Sequence, residues 1–373
     1  MREREQAILR LKRQGRHIVG CFPLYAPLEL LHSFGLTPVV LWGFEPAGTD
    51  LSRSDRHLQN YSCQVARCLT EVVLENSSAV FDALFMYNAC DTLRNLPEIM
   101  EAGLAQDGEY LRMFKLHVPA VPRDRTGAQG YLKERISTLI AELEGFTQQS
   151  FSPQGFAASV ELYARHRRLC REAEELCAAG RIPFADLARN LELAHFSDVE
   201  EHIALLEKMI LEARRVPLNV EPHKRIMVSG IKAPPSELMA SIEANGMRVV
   251  ANDIATLARS YGYCPTPSKD PGEYYCDFYF NHYPCTTILP AGDRRIELVK
   301  RCIDRSRVQG WIFFGEKFCE YEYFEIPFIK DMLRSAGVDV LFVELGADDL
   351  VNLMPVKTRI EAFAEMLEAG DAC

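Results

Sequence analysis

The sequence predicts an α/β fold with two doubly wound parallel-sheet domains and a helical segment between them. Three observations lead there. Short apolar runs alternate with amphipathic stretches at both ends of the chain, the middle is helical throughout, and the two ends resemble each other. At ordinary domain sizes, 373 residues accommodate two to three domains. The expected boundaries are 1–125, 126–216 and 224–373.

In the first region, His17–Phe22, Thr37–Gly43, Phe81–Asn88 and Met113–Val121 read as buried strands from their length and their β-branched and aromatic content. Pro27–Phe34, Ser62–Asn76 and Asp91–Glu101 read as the helices between them. Strands alternating with helices in this way imply a parallel sheet. From Gly127 to about Arg215 the pattern turns helical, with segments Gly130–Glu144, Ser152–Ala179, Ile182–Leu193 and Asp198–Arg214. Ser152 and Asp198 stand where N-caps belong, and Pro153 occupies a first helical position. Arg165 to Arg168, a short basic run, reads as a solvated helix face.

Pro217–His223 reads as a linker, after which the alternation resumes. Strands are expected at Lys224–Gly230, Met247–Asn252, Gly310–Gly315 and Val338–Leu345. Helices are expected at Pro235–Asn245, Arg294–Arg307, Tyr323–Ala336 and Pro355–Ala369. Tyr261–Pro290, rich in Tyr, Pro, Cys and Asp, has no clear period and is expected to be irregular.

The two α/β regions look like copies. Ile18-Val-Gly-Cys-Phe22, Pro27-Leu-Glu-Leu-Leu31, Gly35 and Pro38-Val-Val40 are echoed by Ile226-Met-Val-Ser-Gly230, Pro235-Ser-Glu-Leu-Met239, Gly246 and Arg248-Val-Val250. Further on, each copy has a strand running into a cysteine and an acid, at Cys90-Asp91 and at Cys319-Glu320. In a doubly wound sheet, ligands bind beyond the carboxyl ends of the strands. Cys90 and Cys319 fall there, and Cys63 opens a predicted helix. A helix N-terminus favours the thiolate, the form that ligates iron. Any one of these would ordinarily be a buried structural cysteine; three at strand–helix junctions of a duplicated protein shift the balance toward ligands. Cys68, Cys170, Cys177 and Cys302 read as packing, and Cys373 as terminal and inert.

Composition narrows the function classes. The net charge is −10, which argues against non-specific nucleic-acid binding, a process that rests on phosphate neutralisation by Lys and Arg. Twelve cysteines in this length are too sparse for a disulfide scaffold. The charged N-terminus has no apolar signal region, and no apolar run approaches membrane-spanning length. A cytoplasmic protein with no membrane span is expected. No Gly-x-x-x-x-Gly-Lys-Ser/Thr loop, no Gly-x-Gly-x-x-Gly after the first strand and no Cys-x-x-Cys pair occurs. ATP and dinucleotide binding by those routes is not expected. Three separated cysteines would leave one iron of a cubane cluster open to a substrate.

Several segments resemble the iron–sulfur subunits of the 2-hydroxyacyl-CoA dehydratase and benzoyl-CoA reductase family. They are Tyr25-Ala-Pro-Leu-Glu-Leu-Leu-His32 with Cys63-Gln-Val-Ala-Arg67, Asn88-Ala-Cys90-Asp-Thr-Leu-Arg94, Gly315-Glu-Lys-Phe-Cys319-Glu-Tyr-Glu-Tyr-Phe-Glu-Ile-Pro327, and Lys357 to Leu367. The resemblance implies two flavodoxin/Rossmann-like parallel-sheet domains and a [4Fe–4S] cluster held by Cys63, Cys90 and Cys319. It also implies an acyl-CoA substrate whose thioester carbonyl meets the cluster for one-electron, ketyl-type chemistry. Partners implied are a homologous second subunit, or a second copy, and a separate ATP-hydrolysing iron–sulfur activator. The stretch around Cys319 is similar to benzoyl-CoA-reductase-like subunits, and dehydratase and reductase both stay open.

Three alternatives remain at this point. A related branch carries an [8Fe–9S] double cubane in a reductase homodimer, for which Cys21 and Cys285 are the reserve ligands. The chain is otherwise a cluster-bearing partner that does no catalysis itself, or a metal-free binding protein with buried thiols. Among non-cysteine residues, Tyr25, Glu29 and His32 lie near the first crevice and are the catalytic candidates. Glu237 occupies the duplicated position of Glu29, which favours a structural role for the latter.

Overall fold

The computed structural model describes residues 3–43, 50–217, 222–288 and 292–370. Two four-stranded sheets are present, each entirely parallel. The first contains β1 (His17–Phe22), β2 (Leu36–Val40), β3 (Ala83–Tyr87) and β4 (Arg112–Leu116), in the order β2-β1-β3-β4. The second contains β5 (Lys224–Gly230), β6 (Met247–Ile254), β7 (Gly310–Glu316) and β8 (Asp339–Leu345), in the order β6-β5-β7-β8. Position by position the two orders are the same, so the internal resemblance is a duplication of topology as well as of sequence.

The apolar content of the strands explains this class of sheet. β3 is buried along its whole length and β1 along all but its first residue, as expected for strands covered by helices on both faces. In the second sheet the pleat sorts side chains by parity. Ile226, Val228, Ile312 and Phe314 enter one core, while Met227, Trp311 and Phe313 enter the other. A slip of one residue would exchange the two sets, so the register is strongly specified. Gly35 and Gly246, at duplicated positions, both adopt φ near +70° just after the helices that follow β1 and β5, Leu28–Ser33 and Ser236–Ala244 (φ 73° and 72°). Glycine takes that conformation without the Cβ penalty, which ends the helix and turns the chain into the next strand.

By its contacts the chain forms two units. Unit 1 comprises 1–167, 193–202 and 263–290; unit 2 comprises 168–192, 203–262 and 291–373. The helical middle is therefore shared rather than standing alone, and the helix Pro153–Ala178 divides at Arg167. The cause is apolar demand from each sheet. Cys170, Ala173, Cys177, Phe184, Leu187 and Leu206 belong to the same core as Ile226 and Val228, so these helices cover a face of the second sheet.

Most expected elements appear within a few residues. Ser152 Oγ accepts from Gly155 N (3.1 Å) and Asp198 Oδ1 from Glu200 N (3.1 Å), so both act as helix caps. The expectation of an irregular Tyr261–Pro290 is corrected, because Pro271–Asn281 is a helix. Asp270 caps it, accepting from Gly272 N (2.7 Å) and Glu273 N (3.3 Å), with Pro271 in the first turn. Its buried face is aromatic rather than aliphatic (Tyr274, Tyr275, Phe278, Tyr279), and it packs on the helix Ala128–Thr147. Most of the expected linker, and Cys373, lie outside the described residues.

Candidate functional site

The crevice ends of the strands carry the cysteines that the sequence singles out. Cys90 lies three residues beyond β3 and starts the one-turn helix Asp91–Arg94. Cys319 lies three residues beyond β7 and starts the one-turn helix Glu320–Tyr323. Each short helix leads into a longer one with proline in its first turn, Leu96–Gln106 in unit 1 and Ile326–Ser335 in unit 2. β3 and β7 hold the same place in their sheets, so the two thiols are topological equivalents. Cys63 precedes the helix Gln64–Val80, and its carbonyl accepts from Ala66 N (3.1 Å) and Arg67 N (3.2 Å). The corresponding helix of unit 2, Gly292–Ser306, has no cysteine directly before it, the chain reading Leu289-Pro-Ala291 there. Cys63 and Cys90 thus belong to unit 1 and Cys319 to unit 2.

Polar clamps fix each turn. Asn88 donates Nδ2 to the Val118 carbonyl (3.0 Å) and accepts from Val118 N (2.7 Å), tying the Cys90 turn to the segment after β4. The approach to Cys63 is held by Ser54 N donating to Glu71 Oε2 (2.8 Å) and by the Arg67–Asp55 pair. At Cys319, Lys317 N donates to the Leu345 carbonyl (3.0 Å) and Lys317 Nζ pairs with Asp349 (2.7 Å). Phe318 sits in the left-handed region (φ 64°), which turns the chain sharply before the cysteine.

The cysteines fall into two exposure classes. Cys63, Cys90 and Cys319 are all half-buried, whereas Cys21, Cys68, Cys170, Cys177, Cys276 and Cys285 are buried. Cys264 and Cys302 are also half-buried, but Cys302 packs against the Trp311 core. Cys21 donates to the Val19 carbonyl (3.4 Å), and burial pushes its thiol far up. Cys285 is enclosed beside Thr287 Oγ1 (3.2 Å). The reserve thiols are therefore closed in, while the main set is accessible. At Cys90 burial raises the thiol above its ordinary range, although the N–H groups of Leu93 and Thr92 oppose it. Desolvation outweighs the helix start there, contrary to the expectation of a readily formed thiolate; a bound cation would reverse the balance.

The three thiols suit a soft iron–sulfur cluster in donor type and accessibility. Among the described residues, no group of three His, Cys, Asp or Glu side chains forms a ready site for a single metal ion. Thiols around a cubane stand farther apart than ligands around one ion, so the two requirements differ.

The non-cysteine candidates do different work. Glu29 is fully buried; it pairs with Arg167 and accepts from Tyr274 Oη (2.9 Å) and Tyr275 Oη (3.1 Å). Tyr25 is buried with its ring against His282 (centroids 4.3 Å apart), and its carbonyl accepts from Tyr279 Oη (2.9 Å). His32 Nδ1 meets Ser159 Oγ (2.8 Å), and the ring lines a small surface cavity with Arg16, Tyr163 and Asp198. Burial lowers its pKa. The reading of Arg165 to Arg168 as a solvated face is corrected at Arg167, which is buried because it pairs with Glu29, and sequence reasoning missed Tyr274 and Tyr275. The available signal was an acid inside the apolar run Pro27 to Leu31, which demands a buried partner without naming one.

A duplicated parallel-sheet protein with an accessible thiol beyond equivalent strands of both sheets defines the class. The chain belongs to the 2-hydroxyglutaryl-CoA dehydratase, D-component family, whose model matches residues 23–367 and so takes in all three cysteines. It is similar to the (R)-phenyllactyl-CoA dehydratase beta subunit of Clostridium sporogenes, 23% identical over 96% of this chain and 93% of that one. A benzoyl-CoA reductase subunit of Thauera aromatica is 24% identical over 95% of this chain and 91% of its own. The (R)-2-hydroxyglutaryl-CoA dehydratase beta subunit of Acidaminococcus fermentans is 25% identical over 96% and 95%. Among the described residues no helix is long and apolar enough to cross a membrane.

Proposed function

We propose that the chain is the iron–sulfur subunit of a 2-hydroxyacyl-CoA dehydratase or aromatic acyl-CoA reductase, with Cys63, Cys90 and Cys319 holding a [4Fe–4S] cluster. The observation that carries this reading is the equivalence of Cys90 and Cys319 beyond β3 and β7, both half-buried among mostly buried thiols. Such a cluster, when bound, supplies one-electron transfer and an iron with an open position that acts as a Lewis acid toward a thioester carbonyl. The chain's own part is to hold three thiolates on clamped turns and to leave the fourth position without a protein ligand.

A single cubane accounts for the accessible thiols better than a double one, because Cys21 and Cys285 are buried. The relatives are themselves named as subunits of dehydratases and of a reductase, which supports a partner subunit. A separate ATP-hydrolysing activator is part of this reading. Glu29 serves as a structural acid here, since its carboxylate is fully committed to Arg167 and two tyrosines.

Titrating the anaerobic holoprotein with a 2-hydroxyacyl-CoA and with benzoyl-CoA tests the reading. One of the two is expected to shift the visible and EPR spectra of the cluster, and which one does so decides between dehydratase and reductase. Spectra unmoved by either thioester would assign substrate binding to the partner subunit and overturn the catalytic role.

A further inference from the structure

Unit 2 contains a buried ionic cluster that the proposed chemistry does not use. Arg259, Arg295, Asp253 and Glu322 are all essentially inaccessible to solvent. Arg259 holds Asp253 with two donors, Nε to Oδ1 (2.9 Å) and Nη2 to Oδ2 (3.1 Å), and reaches Glu322 Oε1 through Nη2 (2.8 Å). Arg295 approaches the same two acids, with Nε and Nη2 to Asp253 Oδ2 (3.2 and 3.0 Å) and Nη2 to Glu322 Oε1 (3.0 Å). Its Nη1 also donates to Glu325 Oε2 (2.6 Å). Asp253 stands at the carboxyl end of β6 and Arg295 on the helix Gly292–Ser306. Ser229 Oγ lies 3.4 Å from Asp253 Oδ2 and accepts from Trp311 Nε1 (2.8 Å), which links the cluster to β5 and β7.

Glu322 lies on the one-turn helix that Cys319 begins. A four-residue helix cannot hold itself, since nucleation costs more than one turn returns. Of the aromatic side chains around it, Phe318, Tyr321 and Phe324 are exposed, while Tyr323 packs its ring on Phe313 and Phe342 and donates its Oη to Glu344 Oε1 (3.0 Å). Glu322 is the buried side chain of the turn, and with Tyr323 it ties the turn down. Arg259 and Arg295 each donate Nη2 to Oε1 of Glu322, which holds that one oxygen at a defined point in the interior, as an apolar contact would not. Replacing such a network by apolar residues is often neutral or favourable for stability, so stability alone does not account for it.

We propose that Asp253, Arg259, Arg295 and Glu322 act as positioning residues for Cys319, the buried ionic cluster setting where the thiol stands. The importance of that position rests on the cluster reading above, but the test does not require iron. In the reduced, metal-free full-length chain, alkylation by iodoacetamide is followed separately at Cys63, Cys90 and Cys319 by peptide mass spectrometry. Glu322→Gln is expected to raise the rate at Cys319 by about tenfold through local opening of the turn, while Cys63 and Cys90 stay within about twofold of wild type. Glu322→Asp, which restores the charge on a shorter stem, is expected to recover part of the protection. If Glu322→Gln does not fold, Glu325→Gln, which removes only the negative charge facing Arg295 Nη1, is expected to give about a threefold rise confined to Cys319. A Cys319 rate that stays at the wild-type value, or equal rises at all three thiols, would overturn the proposal. A chain that binds no iron yet shows the selective rise would overturn the cluster reading and leave the clamp standing.

Discussion

Serine in place of Cys63, Cys90 or Cys319 is expected to strip the cluster, leaving anaerobically purified protein with less than about one iron per chain where wild type carries about four. A serine hydroxyl keeps its proton at neutral pH far more firmly than a thiol and offers iron a harder, weaker donor. If three cysteines are the protein ligands, as proposed, losing one leaves two, and the equivalence of the Cys90 and Cys319 turns predicts similar losses for those two variants. Cys170→Ser is the control. Its thiol is buried in the core of unit 2 with Ala173 and Leu187, so the hydroxyl is expected to cost about 1–3 kcal/mol of stability and no iron. Iron and acid-labile sulfide assays on the four proteins check this. Full iron in any of the three ligand variants would remove that cysteine from the set.

The largest stability effect is expected at Arg167. Its guanidinium is the charge partner of the fully buried Glu29, and it also reaches Tyr274 Oη (3.4 Å). Arg167→Ala strands a buried carboxylate with only two tyrosine hydroxyls, a loss of about 3–5 kcal/mol. The double variant Glu29→Leu, Arg167→Met fills the same space without charge and is expected to recover most of that loss. Because β1 and β3 belong to unit 1, hydrogen exchange should rise in those strands while β5 and β7 keep their protection. Urea unfolding with exchange mass spectrometry reads both quantities. A single variant as stable as the double would show that Glu29 is content without its arginine.

The local parts of this structure were legible in the sequence, and the long-range parts were not. β1 and β5 fall at the expected His17–Phe22 and Lys224–Gly230 because an apolar run bounded by turn residues is a local signal. The duplication was legible for the same reason, through Gly35 and Gly246 and through the acid after Cys90 and Cys319. The helix Pro271–Asn281 was hidden because its buried face is built from tyrosines, which blur apolar periodicity, although Asp270-Pro271 marks its start. Its membership of unit 1 is a tertiary fact with no local trace, as is the sharing of the middle helices between the units. Glu29 could be seen as an acid in an apolar run, but its partners lie 138 and 245 residues away. The thiol of Cys90 shows the limit of reading charge from position: the helix start was visible, and the burial that outweighs it was not.

Whether three cysteines hold a cluster is tested most directly by the iron content of the native protein. The full-length chain is purified without oxygen and assayed for iron and acid-labile sulfide, with its visible spectrum recorded. About four iron and four sulfide per chain, in a brown protein that bleaches in air, is the predicted result. A colourless, iron-free protein from the same anaerobic preparation would contradict it.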